Sequence, residues 1–124
     1  MTRDEVMALT NDELQVKAAA LMGWTEIERN LIGKDMACGW VGLMPDDQSV
    51  VEFIPDYLND IAAAWELRAF CISQGWWVET RGHEPQDECT IWTDKEQNHP
   101  SQFTGEDGMA DAITVAFVIA MEAE

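Results

Sequence analysis

Positive charge is what this chain lacks: 7 lysines and arginines stand against 24 aspartates and glutamates, leaving a formal net charge of −17 over 124 residues. Small soluble domains usually carry a net charge of roughly 2 to 8 in magnitude, and the excess here works against folding through self-repulsion. Such a field repels nucleic acid and anionic membrane and attracts basic surfaces, including the nucleic-acid channels of other proteins. Direct nucleic-acid binding is therefore not expected. Cysteine is scarce, and Cys38, Cys71 and Cys89 are odd in number and form no CxxC pair, which points to free thiols in a reducing compartment. No charged-then-apolar leader opens the sequence, so a cytoplasmic setting is expected. The longest apolar run, residues 112–121 broken only by Thr114, falls well short of the roughly 20 residues a membrane span needs. Glycine-rich phosphate cradles, Walker motifs and serine-histidine-aspartate signatures are also missing.

What is present suits one domain over residues 1–124: with 47% apolar residues, a chain of this length buries roughly two thirds of its unfolded surface. Residues 1–9 carry alternating charge and few apolar side chains, and a short frayed turn is expected. Thr10 with Glu13 three residues on reads as a reciprocal capping box. Leu14, Ala18, Leu21 and Met22 then recur at helical spacing until Gly23 supplies a left-handed stop, with Trp24 folding back over that end. Between 25 and 47, Gly33, Gly39, Gly42 and Pro45 punctuate apolar pieces such as Trp40, Val41, Leu43 and Met44, which predicts one or two short strands. Residues 50–54 form another before Pro55.

Asn59 is expected to cap a central helix whose apolar positions Ile61, Ala62, Trp65, Ala69 and Ile72 follow the 3.6-residue period up to Gly75. Residues 76–80 and 89–93 read as strands of a hairpin, with Gly82, Pro85 and Asp87 in the turn. After the polar stretch 94–105, to which no element is assigned, Asp107 is expected to cap a final helix over 109–121. That helix is apolar nearly all round and must be covered on several sides. The fold class is α+β: a compact sandwich of about three helices with a small, mainly antiparallel sheet.

Leu21, Met22, Gly23 and Trp24, then Ile54, Pro55, Asp56 and Tyr57 leading into Asp60, Ile61, Ala62, Ala63, Ala64, Trp65 and Glu66, then Gly75 and Trp76, carry a resemblance. From Leu14 through the last helix the chain resembles the phage ABA sandwich domain of small bacteriophage and prophage proteins. The resemblance implies helices packed about a small sheet and implies no activity, cofactor or catalytic residue. The chain departs from the pattern at Leu58 and Asn59, where serine or threonine is usual, and in lacking a proline in the first turn of the last helix.

No constellation of side chains points to catalysis. His83 and His99 lie near Cys89, Asp87 and Glu88 in sequence, but the spacings match no structural zinc pattern, and surface histidines are expected. Cys89, within a strand, reads as a small buried hydrophobe and not as a nucleophile. The adjacent acids Asp46 with Asp47, Asp87 with Glu88 and Glu106 with Asp107 read as solvated loop carboxylates, because no pocket is defined that would raise one pKa. No catalytic residue, cofactor or metal is expected.

Successive strand side chains point to opposite faces, so Trp76, Val78 and Thr80 face one layer while Trp77 and Glu79 face the other, where Trp92 and Asp94 join them. The favoured expectation has helices over both faces and every ring in the core. The alternative exposes Trp77 and Trp92 as an aromatic hot spot ringed by carboxylates. The leading functional expectation is a non-enzymatic phage or prophage protein that binds a basic, nucleic-acid-handling host factor, such as a CRISPR effector or restriction complex. Asp46, Asp47, Asp87, Glu88, Glu106 and Asp107 would supply charge, and Trp77 or Trp92 anchorage. A small-ligand module, as a single chain or an oligomer, is the alternative, and a self-associating virion part a third class; the oligomeric state is open.

Overall fold

The computed structural model describes residues 3–29, 40–82, 87–93, 100–105 and 108–122, with residues 3 and 100–105 as main chain only. Helix α1 (Arg3–Met7) leads into α2 (Asn11–Leu21), and the capping box is formed: Thr10 Oγ1 accepts from the Glu13 main-chain N–H, and Glu13 returns the bond to that of Thr10. In place of the expected frayed turn, residues 3–7 form a helix, because Val6 is fully buried and α1 packs on the last helix. Gly23, at φ +103°, ends α2 in a Schellman motif, the Gly23 N–H donating to the Ala20 carbonyl and the Trp24 N–H to that of Ala19.

Strands β1 (Thr25–Arg29), β2 (Trp40–Leu43) and β3 (Val51–Phe53) form an antiparallel sheet in that order. Its register slips between Thr25 and Glu28, and Glu26 takes φ +51° there, as a bulge residue does. Gly42 sits under this bulge: a Cβ on it would lie 3.0 Å from the Thr25 carbonyl oxygen. The second sheet, β4 (Trp77–Arg81), β5 (Asp87–Trp92) and β6 (Pro100–Gly105), is also antiparallel. The α+β class stands, with two small sheets in place of the single one expected. The β6 strand was hidden in a polar stretch: it lies at a sheet edge and opens on proline, which an edge tolerates.

Helix α4 (Met109–Glu122) is the centre of the core, with residues 112–120 all buried. It packs on β5 and β6 and on α1, α2 and the third helix, α3 (Ile61–Ser73), which is the all-round cover its composition demands. Two expectations for α3 need correction. Its cap is Asp60, whose carboxylate accepts from the Ala62 N–H at 3.0 Å, while Asn59 turns back to the Asp56 carboxylate at 3.2 Å. More consequentially, the periodic stripe points outward: Ile61, Ala62, Trp65, Ala69 and Ile72 are exposed, and the helix buries Ala63, Ala64, Leu67 and Cys71. Small side chains at 63 and 64 let α3 approach α4 closely, and α4 has apolar surface to cover on every side.

Candidate protein-interaction site

The turn between β2 and β3 is held by its own polar side chains. The Asp47 carboxylate accepts from the hydroxyl and main-chain N–H of Ser49, which holds its carboxyl below the usual aspartate value. Gln48 donates to the Met44 carbonyl and accepts from the Thr25 hydroxyl. Pro45 meets the end of α2, since a Cβ on Gly23 would lie 3.2 Å from the proline Cβ. The chain reversal at Gly23 also sets the Trp24 indole beside the Tyr57 hydroxyl. Tyr57 is 1% exposed, and burial first, then the nearby Glu66 charge, push its hydroxyl up to about 12, with the Trp24 indole opposing.

Together these segments wall a cleft of ≈ 530 Å³. Trp24 and Phe53 supply aromatic surface over the buried Tyr57, Met22, Met44, Pro45 and Pro55 further apolar wall, and Asp46, Glu52 and Glu66 the charge. Gln15 of α2 ties the floor in place by donating to the Pro55 carbonyl at 3.1 Å. No cation lines it. The segments that supply it carry further exposed acids: Glu26, Glu28, Asp46, Asp47, Glu52, Asp56, Asp60 and Glu66 are all exposed. Among the described residues between 25 and 66 the one cation is Arg29, already bonded to Asp12 at 3.1 Å and lying over the Trp40 ring at 5.3 Å. Glu26 and Glu28 border a neighbouring shallow depression with Val41, Leu43 and Val51.

The expected aromatic pair is found on the second sheet. Trp77 lies directly across from Trp92, on the face opposite the buried Cys89 and Ile91. The expectation that every ring is core is overturned, since Trp77 is 63% and Trp65 41% exposed; Trp92 is half-buried. Glu88 shares this face at the level of Arg81, which pairs instead with Glu79. Asp87 faces the other way. It belongs to β5, not to a loop, and its carboxylate oxygens would lie 3.4 and 3.9 Å from a Cβ placed on Gly82 and on Gly108, which puts a negative charge near the amino end of α4, where it is favourable. Glu106, Asp107, His83, His99 and Cys38 lie outside the described residues. Thus Asp46 joins the cleft, Asp47 shapes its turn, Trp77, Trp92 and Glu88 share a separate face, and Asp87 serves the helix start.

Set against family models, curated proteins and solved structures, the chain matches none. The chemistry of the site therefore has to be read from its own geometry. Cys71 and Cys89 are buried free thiols pushed up to about 12, by burial first in each case, which suits packing and not nucleophilic attack. Among the described residues no three metal-ligating side chains converge, and no helix is long and apolar enough to cross a membrane. A second hollow, of ≈ 350 Å³, lies between α2 and Trp40, with Leu9, Val16 and Ala20 in its wall. Its charged groups are engaged elsewhere: Asp12 with Arg29, Glu13 with Thr10, Lys17 with Glu122. The cleft is the better site. Of its residues, Trp24, Glu52, Phe53, Tyr57 and Glu66 escaped selection from sequence, though the turn at Gly23 and the Pro55-Asp56-Tyr57 run were the signals that could have brought them together.

Proposed function

We propose that this chain is a non-enzymatic phage or prophage protein that docks an acidic, aromatic surface on the basic nucleic-acid channel of a host defence complex, of CRISPR effector or restriction type, and keeps nucleic acid out. One observation carries the reading: exposed carboxylates crowd β1 to β3 and the start of α3 around a concave aromatic cleft, with the described cation of that region already paired. Duplex DNA presents one negative charge per roughly 1.7 Å of axis, so a basic channel is built to receive such a surface. Long-range attraction speeds the encounter, and desolvated aromatic contacts hold the complex.

The test is biological and direct. In cells with an active CRISPR or restriction system, producing this chain should restore plating of a targeted phage, and the Asp46→Lys, Glu52→Lys, Glu66→Lys triple variant should lose that effect. Unchanged plating against every such system tried would refute the proposal. A triple variant as active as the parent would refute its electrostatic basis.

A further inference from the structure

We infer that the cleft between Trp24, the β2–β3 turn and Glu66 receives an arginine side chain presented by the partner. This deepens the proposed function and takes the class of partner from it. The cleft, at ≈ 530 Å³, falls within the roughly 300–1,000 Å³ of ligand pockets. It offers two kinds of surface at once. Trp24 and Phe53 suit a flat, weakly hydrated cation and its methylene stem, while Asp46, Glu52 and Glu66 approach from a turn, a strand and a helix. A neutral occupant would gain nothing from the three carboxylates that line the cleft, and an anion would be repelled. A lysine ammonium satisfies the charge, but it is more strongly hydrated and cannot stack as a plane.

The molecule already sets a guanidinium over an indole twice within itself, and in the first case a carboxylate is bonded to it as well. Arg29 lies 5.3 Å from the Trp40 ring centroid while bonded to Asp12 at 3.1 Å, and Arg68 lies 5.0 Å from that of Trp65. The cleft repeats the same pairing of ring and carboxylate with the guanidinium left to be supplied. Its walls are also held before any ligand arrives: the Trp24 main chain is bonded to Ala19, the Tyr57 carbonyl to Thr114, and the turn to Thr25 through Gln48. Little reorganisation is then needed on binding.

The probe is acetyl-Gly-Arg-Gly-amide added to the full chain at low salt, followed through the Trp24 indole N–H resonance. The neutral isostere with citrulline in place of arginine and the lysine tripeptide serve as comparisons. The arginine peptide should shift that resonance saturably, lysine should bind more weakly, and citrulline should bind at least about tenfold more weakly than arginine. Phe53→Ala and Glu52→Gln, at exposed positions where folding is not at stake, should each weaken the arginine peptide about threefold to tenfold. An unmoved Trp24 resonance, or equal binding of arginine and citrulline, overturns the inference. The two proposals separate cleanly. Arginine binding without restored phage plating leaves the cleft assignment standing and removes the defence complex as partner. Restored plating by a Phe53→Ala, Glu52→Gln variant that no longer binds the peptide keeps the partner and removes the cleft.

Discussion

The hydroxyl of Thr114, at the middle of the buried helix α4, lies 2.7 Å from the main-chain carbonyl of Tyr57 and 2.9 Å from that of Ala110. Its single proton serves both, so the one polar side chain in the 112–120 stretch ties the cleft wall to the core. Thr114→Val keeps the volume and deletes the donor, leaving the Tyr57 carbonyl without its bond from the helix. The expected loss is about 1–3 kcal/mol in urea unfolding, with Thr114→Ser recovering most of it. A variant as stable as the parent would show that the tie contributes nothing.

The inverted face of α3 makes a sharper contrast. Leu67 is fully buried against α4, whereas Ile72 is 46% exposed. Leu67→Ala should cost about 2–5 kcal/mol, and Ile72→Gln should stay within about 0.5 kcal/mol. The reverse order of the two midpoints would mean that the apolar stripe packs inward after all.

That stripe also shows how far the sequence could be read. Capping at Thr10 and Glu13, the stop at Gly23 and the need to surround α4 are local or compositional, and each was legible. Which face of α3 turns inward was not, because both faces are apolar. Ile61, Trp65 and Ile72 are the larger side chains, but close helix contact is decided by the small Ala63 and Ala64. The cleft was illegible for a different reason: Trp24, Phe53 and Glu66 are far apart in sequence, and only the reversal at Gly23 and the Tyr57 segment bring them together. Trp77 and Trp92 were paired correctly because strand alternation fixes faces.

Acid should weaken the amino-terminal cap. The main-chain N–H of Thr10, and then its hydroxyl, hold the Glu13 carboxyl below its usual value of 4.5. A depressed folded-state value contributes stability that is present above the unfolded pKa and disappears as pH falls through the folded one. The stability difference between the parent and Glu13→Gln should therefore be constant near neutrality and shrink below about pH 4.5. A difference that grows on acidification would contradict the cap as its source.

Buried thiols with values pushed up to about 12 are almost entirely protonated at pH 8. Peptides bearing Cys71 and Cys89 should then be labelled by iodoacetamide no faster than the native state opens, and at the full rate in denaturant. Prompt labelling of either under native conditions would place it at the surface, contrary to its burial.

Charge and aromatic contacts should part in the kinetics of the proposed complex. Charge reversal at Glu26, Glu28 and Asp56, exposed and outside the cleft lining, acts on encounter, so it should lower the association rate and flatten its salt dependence while leaving dissociation less affected. Trp77, at 63% exposure across from Trp92, is a candidate anchor on a different face. If the partner spans both surfaces, Trp77→Ala should leave the association rate nearly unchanged and speed dissociation, at a cost of about 2 kcal/mol typical of a hot spot. An unaltered dissociation rate confines the interface to the acidic end, with the Trp77 and Trp92 face outside it.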